Sequence, residues 1–229
     1  MPRLVLWDVD HTLIENSGVS KEIYATAFKI LTGRISRHPA RTNGRTDVAI
    51  MAAMLADHGI QDAAWADTAD ALRRAGAAHR EALAARGTVL PGVVELITAL
   101  SSGRDVVQTV VTGNIRANAE VKLGALGLGR HFDLDIGGYG SDHVDRYRLV
   151  EIARERAAAK YGPEYGENEC AIAVGDTPRD IEAARRGGAE MLAVASGLYS
   201  ADELRRAGGQ LVVPDLADTD DLVRRLAVK

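Results

Sequence analysis

Two aspartates follow directly after an apolar run near the start of the chain. Residues 4–7 are Leu-Val-Leu-Trp, and Asp8, Asp10 and Thr12 come next at alternate positions. An uncharged apolar run predicts a strand buried on both faces, and the carboxyl end of such a strand borders the ligand crevice of an open α/β sheet. Two carboxylates this close repel each other, so we expect a divalent cation, with Mg²⁺ favoured by hard oxygen ligands. One carboxylate can then attack a substrate while the other moves a proton.

Two other interpretations of this segment are open. A Ca²⁺-binding loop also begins with Asp-x-Asp, but it requires Gly at its sixth position and Glu at its twelfth, where this chain has Leu13 and Val19. The segment could also be an ordinary polar turn after a strand. The rest of the chain therefore has to decide between a turn and a reactive site.

A second polar group follows another apolar run. Residues 106–111 predict a strand, and Thr112, Gly113 and Asn114 come after it, before a predicted helix. A hydroxyl, a glycine and the free amides of a helix N-terminus can bind a phosphate group. A capped turn between a strand and a helix would carry the same residue types.

A third strand-to-helix junction carries two more acids. The predicted strand 171–174 leads into Gly175, Asp176 and, one helical turn later, Asp180. Both carboxylates can point the same way, into the crevice that Asp8 borders. The alternative for Asp180 is a helix cap that interacts with the helix dipole, and this alternative is weaker for Asp176.

A fixed cation could hold a phosphate group against this acidic cluster. The polar segment 140–146 leads into a predicted helix, and it ends in Arg146, which is our candidate, with Arg148 as the second choice. The alternative is an exposed basic residue in a polar loop.

From Pro91 onward, strands and helices alternate, which predicts a parallel sheet with helices on both faces. Helices are expected at 91–101, 115–126, 148–160 and 181–186, and strands at 106–111, near 134–136, and at 171–174, 191–194 and 211–213. The expected fold class is α/β, a Rossmann-like parallel sheet.

Residues 16–88 contain no clear strand and are predicted to be helical. Ser20 could cap a helix that ends near Gly33, Thr46 could cap one that ends near Gly59, and 64–86 form a third helical run. We therefore expect a helical cap domain at 16–88, inserted into a core domain made of 1–15 and 89–229.

The composition narrows the class of protein. A net charge of −4 and a pI near 5.9 argue against a nucleic-acid partner, which calls for a basic surface. The single Cys170 opens an apolar run and is expected to be a core residue. No apolar stretch approaches the ~20 residues of a membrane span, and from residues 1–7 we expect no secretory leader. We expect a cytoplasmic protein with no membrane partner; nothing in the sequence indicates its oligomeric state.

Taken together, these motifs resemble the haloacid dehalogenase-like hydrolase superfamily. The similarity covers nearly the whole chain and includes the order and spacing of Asp8-x-Asp10-x-Thr12, Thr112-Gly113-Asn114 and Gly175-Asp176-Thr177-x-x-Asp180. The helical insertion resembles the family's α-helical cap. Asn43-Gly44-Arg45-Thr46-Asp47 resembles a cap loop of phosphoglycolate phosphatase-like and phosphoglucomutase-like members.

The resemblance implies a role for each matching position. Asp8 would be the nucleophile that forms an aspartyl-phosphate, and Asp10 would protonate the leaving alcohol and then activate water. Thr112 and the amides of Gly113 and Asn114 would bind phosphoryl oxygens. Mg²⁺ would be bound by Asp8, Asp176 and the backbone carbonyl of Asp10, with Asp180 in support. Because dehalogenating members typically lack the second aspartate, the presence of Asp10 favours phosphoryl transfer.

Two positions depart from the family pattern. His11 stands where the family usually has Gly, so a bulky residue must adopt that backbone conformation without glycine's freedom. Arg146 stands in the place of the usual Lys; it keeps the charge and can bind a phosphate group bidentately. His11 and Arg45 are our candidates for substrate specificity.

The expected activity is Mg²⁺-dependent hydrolysis of a small phosphomonoester, similar to phosphoglycolate or a sugar phosphate. One alternative is a phosphomutase, in which a sugar hydroxyl replaces water as the acceptor. The other is a non-catalytic phosphate-binding or regulatory protein, which only the altered third motif favours. The expected partner is a small phosphorylated metabolite.

Overall fold

A six-stranded parallel sheet is the centre of the fold. The computed structural model describes residues 2–42, 44–61, 63–103 and 105–227. The strands of this part of the chain are β1 Arg3–Trp7, β2 Ile14–Glu15, β3 Thr88–Val89, β4 Val106–Thr112, β5 Gly138–Tyr139, β6 Ala171–Gly175, β7 Glu190–Val194 and β8 Leu211–Val213. The sheet order is β5-β4-β1-β6-β7-β8, and every pairing in it is parallel. The expected α/β fold class is therefore confirmed.

Helices cover both faces of the sheet and form an insertion after β2. Their bounds are α1 Val19–Thr32, α2 Asp47–Ala56, α3 Trp65–Ala78, α4 Arg80–Arg86, α5 Val93–Ser101, α6 Arg116–Ala125, α7 Arg146–Tyr161, α8 Pro178–Gly187, α9 Ala201–Arg206 and α10 Thr219–Ala227. None of the helices in the described ranges has the length and apolar character that a bilayer span requires.

The central strand β1 is buried on both faces, as its apolar sequence predicts. Val5 and Trp7 pack into one apolar cluster with α5, α6 and α10, whereas Leu4 and Leu6 pack into another with α7 and α8. This alternation follows from the two-residue period of a strand. Because β1 lies between β4 and β6, with Trp7 level with Val110 and Val174, the carboxyl ends of all three strands meet at one edge.

Helices α1 to α4 form what we call the cap segment, residues 16–87. They pack around a separate apolar cluster that includes Phe28, Met51 and Leu72, and this cluster extends to Ile115 beside the core helix α6. At the two ends of the segment, β2 and β3 pair antiparallel. This packing supports the proposed division into a core and an inserted cap.

The expected cap of α1 was wrong, and the other two helical runs of the cap segment differ from expectation only in detail. Ser20 does not cap α1: the helix begins at Val19 after Gly18, whose φ is 81°, and the side chain of Asn16 accepts hydrogen bonds from the amides of Gly18 and Ser20. Helix α2, which Thr46 does cap, ends at Ala56, and the hydrogen-bonded turn that follows it stops at Gly59, whose φ is 71°. The run 64–86 is two helices, interrupted at His79.

The core differs from expectation at two places. No strand forms at 134–136, because the carboxylate of Asp133 accepts a hydrogen bond from the amide of Asp135 and turns the chain; β5 starts only at Gly138. Helix α5 begins at Val93, and Pro91 lies before its N-cap Gly92.

Candidate active site

The polar residues that follow β1, β4 and β6 lie together at the carboxyl edge of the sheet. Asp8 directly follows β1, and its amide donates a hydrogen bond to the carbonyl of Val174, 2.9 Å away. Thr112 is the last residue of β4, and Asp176 directly follows β6. All of these side chains border one cavity between the sheet and the cap segment. The parallel sheet thus brings together residues that are more than 160 positions apart in the sequence.

Three buried carboxylates form a cluster in this cavity. Oxygen atoms of Asp8, Asp176 and Asp180 all lie within 4.8 Å of one another. The hydroxyl of Thr12 is 3.5 Å from Asp176 Oδ1. The cap interpretation of Asp180 is also correct, because its Oδ2 accepts hydrogen bonds from the amide and the hydroxyl of Thr177. Its other oxygen remains directed at the cluster.

The protein surroundings disfavour ionisation of the acids in this cluster. Burial raises the pKa of Asp8, although the nearby Arg146 guanidinium opposes the shift. Burial and repulsion from Asp180 and Asp8 raise the pKa of Asp176. Three carboxylates face a single guanidinium, and all of their donor atoms are hard oxygens. The cluster therefore fits a divalent cation such as Mg²⁺.

Arg146, the first residue of α7, supplies that guanidinium. Its Nη2 lies 2.8 Å from Asp8 Oδ1 and 2.7 Å from Asp180 Oδ1, so the guanidinium is paired with both carboxylates. Arg146 also borders the cavity, where a phosphoryl oxygen could accept a hydrogen bond from the guanidinium. Arg148 instead pairs with Glu151 on the surface, with its side chain 41% exposed.

The carboxylate of Asp10 is not part of the acidic cluster and is surrounded by donors. Its Oδ1 accepts hydrogen bonds from Asn16 and Ser20 of the cap segment, at 2.8 and 3.3 Å. Its Oδ2 accepts from Asn114 at 2.9 Å and from Lys122 at 2.6 Å. Burial alone would raise the pKa of Asp10, but the Lys122 ammonium and these hydrogen bonds outweigh it and lower the pKa to about 2.

Lys122 did not emerge from the sequence analysis. It lies on α6 and is 2% exposed, which is rare for a lysine. Its helical spacing could have indicated that Lys122 is buried. Lys122 follows Asn118 by four residues and Ile115 by seven, and both of these residues are buried. Helical periodicity places all three on the inward face.

The phosphate-binding candidates Thr112, Gly113 and Asn114 are in contact with the cap segment. A Cβ on Gly113 would lie 2.2 Å from the carbonyl oxygen of Arg45, so only glycine fits here. The carbonyl of Gly113 accepts a hydrogen bond from the amide of Asp47 at 2.7 Å, and the carboxylate of Asp47 accepts one from the amide of Ile115 at 2.8 Å. The cap loop and the loop after β4 are therefore tightly joined.

Both specificity candidates border the same cavity. His11 has a φ of 61°, so the prediction that a bulky residue adopts this glycine-like conformation is confirmed. Arg45 lines the cavity from the cap segment, and its Nη2 lies 3.4 Å from the carbonyl of Ala49. Tyr24 and Leu198 add apolar surface nearby. Asn43, part of the predicted cap loop, lies outside the described residues.

Comparisons with known proteins agree with this geometry. The family model described as haloacid dehalogenase-like hydrolase matches residues 5–185. The chain is 27% identical to the probable phosphatase IndB of Dickeya dadantii over 227 residues, which cover 95% of this chain and 92% of that protein.

Solved structures share the fold over almost their whole length. A hydrolase from Pseudomonas syringae has a TM-score of 0.68 and 20% identity, with 99% of each chain covered. CbbY from Rhodobacter sphaeroides, solved in complex with phosphate, has a TM-score of 0.67 and 21% identity, with 95% of this chain and 96% of that chain covered. The family model alone spans well over half of the sequence. This chain therefore belongs to the haloacid dehalogenase-like hydrolase family.

Proposed function

We propose that this chain is a Mg²⁺-dependent phosphatase that hydrolyses a small phosphomonoester through an aspartyl-phosphate on Asp8. The observation that carries the proposal is the position of Asp8. Its carboxylate lies in a buried acidic cluster, 2.8 Å from Arg146 and at the same cavity edge as Thr112. Similarity to a probable phosphatase and to a structure solved with phosphate supports the same substrate class.

The first chemical step transfers the phosphoryl group to the protein. A carboxylate oxygen of Asp8 attacks phosphorus, and the bond between phosphorus and the alcohol oxygen breaks. Arg146, the Thr112 hydroxyl and the Gly113 amide hold the phosphoryl oxygens in line with Asp8, while the Asn114 amide donates to Thr112 Oγ1. Mg²⁺ would be held by Asp8, Asp176 and the backbone carbonyl of Asp10, with Asp180 in support, and it would neutralise the charge that develops on the phosphoryl group.

Asp10 is proposed to move the proton in both steps. It protonates the leaving alcohol oxygen, and it then accepts a proton from the water that attacks the aspartyl-phosphate and releases phosphate. The donors around Asp10 keep it ionised in the free protein, which suits the second step. For the first step, the incoming phosphate dianion raises the pKa of Asp10 by repulsion.

Substrate choice is proposed to depend on Arg45 and His11, which border the cavity beyond the phosphate-binding groups. Phosphoglycolate and small sugar phosphates are the first candidates. A cytoplasmic location agrees with such metabolites and stays a prediction.

The test is phosphate release from a panel of small phosphomonoesters, measured with Mg²⁺ and with EDTA. We expect Asp8→Asn to abolish release and Asp10→Asn to lower kcat by ~10²- to 10⁴-fold while Mg²⁺ binding is kept. Arg146→Met should also lose most activity, whereas the matched control Arg148→Met should stay within about twofold of the wild type, since surface substitutions have small effects.

Each alternative activity has its own outcome in this test. Isomerised sugar phosphate without net phosphate release would identify a phosphomutase. Release that survives Asp8→Asn or EDTA would contradict the proposed mechanism. Phosphate binding with no turnover of any ester would favour the non-catalytic alternative.

A further inference from the structure

Lys122 is a buried cation that the proposed mechanism does not use. Its Nζ lies 2.6 Å from Asp10 Oδ2 and 2.7 Å from Asn114 Oδ1, and the residue is 2% exposed. A buried ammonium is costly unless it is paired and hydrogen-bonded. Lys122 therefore needs both partners, and both belong to the candidate active site.

The contact with Lys122 fixes the orientation of the Asn114 amide. An ammonium can only donate hydrogen bonds, so the atom of Asn114 that faces Lys122 must be the carbonyl oxygen. The NH₂ group of Asn114 then faces the other way, where it donates to Asp10 Oδ2 at 2.9 Å and to Thr112 Oγ1 at 2.8 Å. The lysine thereby decides which way the side-chain dipole of Asn114 points.

This orientation determines what the Thr112 hydroxyl can do. Its oxygen accepts hydrogen bonds from the Asn114 NH₂ group at 2.8 Å and from the Asn114 backbone amide at 3.3 Å. With both of its acceptor positions used, the hydroxyl has its own proton left to donate. No acceptor for that proton is found among the described residues, and Thr112 borders the cavity that contains Asp8.

We propose that Lys122 is a positioning residue that sets the direction of the hydrogen-bond chain from Lys122 through Asn114 to Thr112. The chain directs the Thr112 hydroxyl proton at a phosphoryl oxygen, and the same ammonium holds the Asp10 carboxylate where the leaving oxygen arrives. The inference rests on the proposed function and adds a residue to it. The competing explanation is that Lys122 only stabilises the fold.

The variant that tests the inference is Lys122→Met, which keeps a similar volume but removes every donor. Arg3→Met is the matched control, because Arg3 is also a buried cation, 3% exposed, but it pairs with Glu190 at the opposite end of β1. We expect both variants to lose stability, because each substitution leaves a buried carboxylate or carbonyl without its donor. The readouts are kcat and KM per folded molecule, and the affinity for inorganic phosphate in the presence of Mg²⁺.

For Lys122→Met we expect kcat to fall by about 10²-fold, since small displacements of reacting groups have effects of this size. KM should rise by no more than the loss of phosphate affinity. Phosphate affinity should fall roughly 3- to 10-fold, as expected for one weakened hydrogen bond. Arg3→Met should keep kcat and phosphate affinity within about twofold.

If Lys122→Met does not fold, Asp10→Asn/Lys122→Met removes both buried charges and can be compared with Asp10→Asn for phosphate affinity. Equal affinity in that pair overturns the inference, as does a folded Lys122→Met with normal kcat and normal phosphate affinity. A wild type that binds phosphate but hydrolyses no ester defeats the proposed function alone, and phosphate affinity then still decides the role of Lys122. A wild type that does not bind phosphate overturns both.

Discussion

His11 occupies a left-handed backbone conformation beside the proposed nucleophile. Its φ of 61° is one that residues with a Cβ adopt only at a cost. The position is held by hydrogen bonds from the amide of His11 to the carbonyl of Ile14 and from the hydroxyl of Ser196 to the carbonyl of His11. The turn after β1 thus contains strain next to the candidate site.

The strain at His11 can be measured by comparing two substitutions. His11→Gly and His11→Ala both remove the contact with Glu15, which is 2.8 Å long, but only glycine relieves the backbone. We expect His11→Gly to be more stable than His11→Ala by about 1 kcal/mol, measured by urea denaturation. An alanine variant as stable as the glycine variant would show that the turn is not strained.

The site residues that follow the strands could be predicted from the sequence. The side chains that contact them could not. Asp8, Asp176 and Thr112 were found because parallel strands end at one edge, which is a property of the pattern. Lys122 was not found because a single lysine on a helix is normally exposed. Only the tertiary packing of α6 beneath Asp10 buries it.

The start of α2 joins the cap segment to the core. Asp47, its first residue, accepts a hydrogen bond from the hydroxyl of Tyr24 at 2.5 Å and one from the amide of Ile115 at 2.8 Å. Thr46, the N-cap, donates to the carbonyl of Val144 at 3.2 Å. These contacts connect α1 and α2 to the loops after β4 and β5.

Removing the Asp47 carboxylate should destabilise the protein substantially. Asp47→Ala leaves a buried hydroxyl and a buried amide without partners, and we expect a loss of about 3 kcal/mol in the free energy of unfolding. Asp57→Ala, at the exposed C-terminal end of α2, is the matched control and should stay within about 0.5 kcal/mol. Equal urea midpoints for the two variants would rule out this joining role.

The order and type of most elements followed from periodicity and turn residues, but two kinds of detail did not. Ser20 was expected to cap α1, yet its hydroxyl is used by Asp10, and the cap is supplied by Asn16. The choice between Ser20 and Asn16 depends on how the turn between β1 and α1 folds, which the residue types alone do not determine. The strand expected at 134–136 failed for a local reason, the turn made by Asp133.

The stability of the protein depends on pH through its buried acids. Burial raises the pKa of Asp8 and Asp176, and burial raises the pKa of Asp47 to about 6. Such groups contribute stability that is fully present below about pH 4 and is lost as the pH rises through their folded-state pKa values. The pKa of Asp10 is lowered instead, to about 2. Its contribution to stability is therefore present above about pH 4 and is lost as the pH falls towards 2.

We therefore expect the metal-free protein to lose stability between pH 5 and pH 8, by roughly 2–4 kcal/mol. Mg²⁺ should stabilise it more at pH 8 than at pH 5, because the cation binds ionised carboxylates. Asp176→Asn should flatten the pH profile and weaken the Mg²⁺ effect. Thermal unfolding with and without Mg²⁺ measures this, and a stabilisation by Mg²⁺ that is equal at both pH values would contradict it.

The antiparallel pair of β2 and β3 has a consequence for how such a chain can diversify. The chain leaves the core at Glu15 and returns at Thr88, and these two residues pair directly, so the ends of the cap segment lie only about 5 Å apart. The cost of closing a longer or shorter insertion between fixed ends grows only logarithmically with its length. The segment that borders the substrate can therefore be replaced, lengthened or shortened, while the sheet that carries Asp8 and Asp176 keeps its strand order.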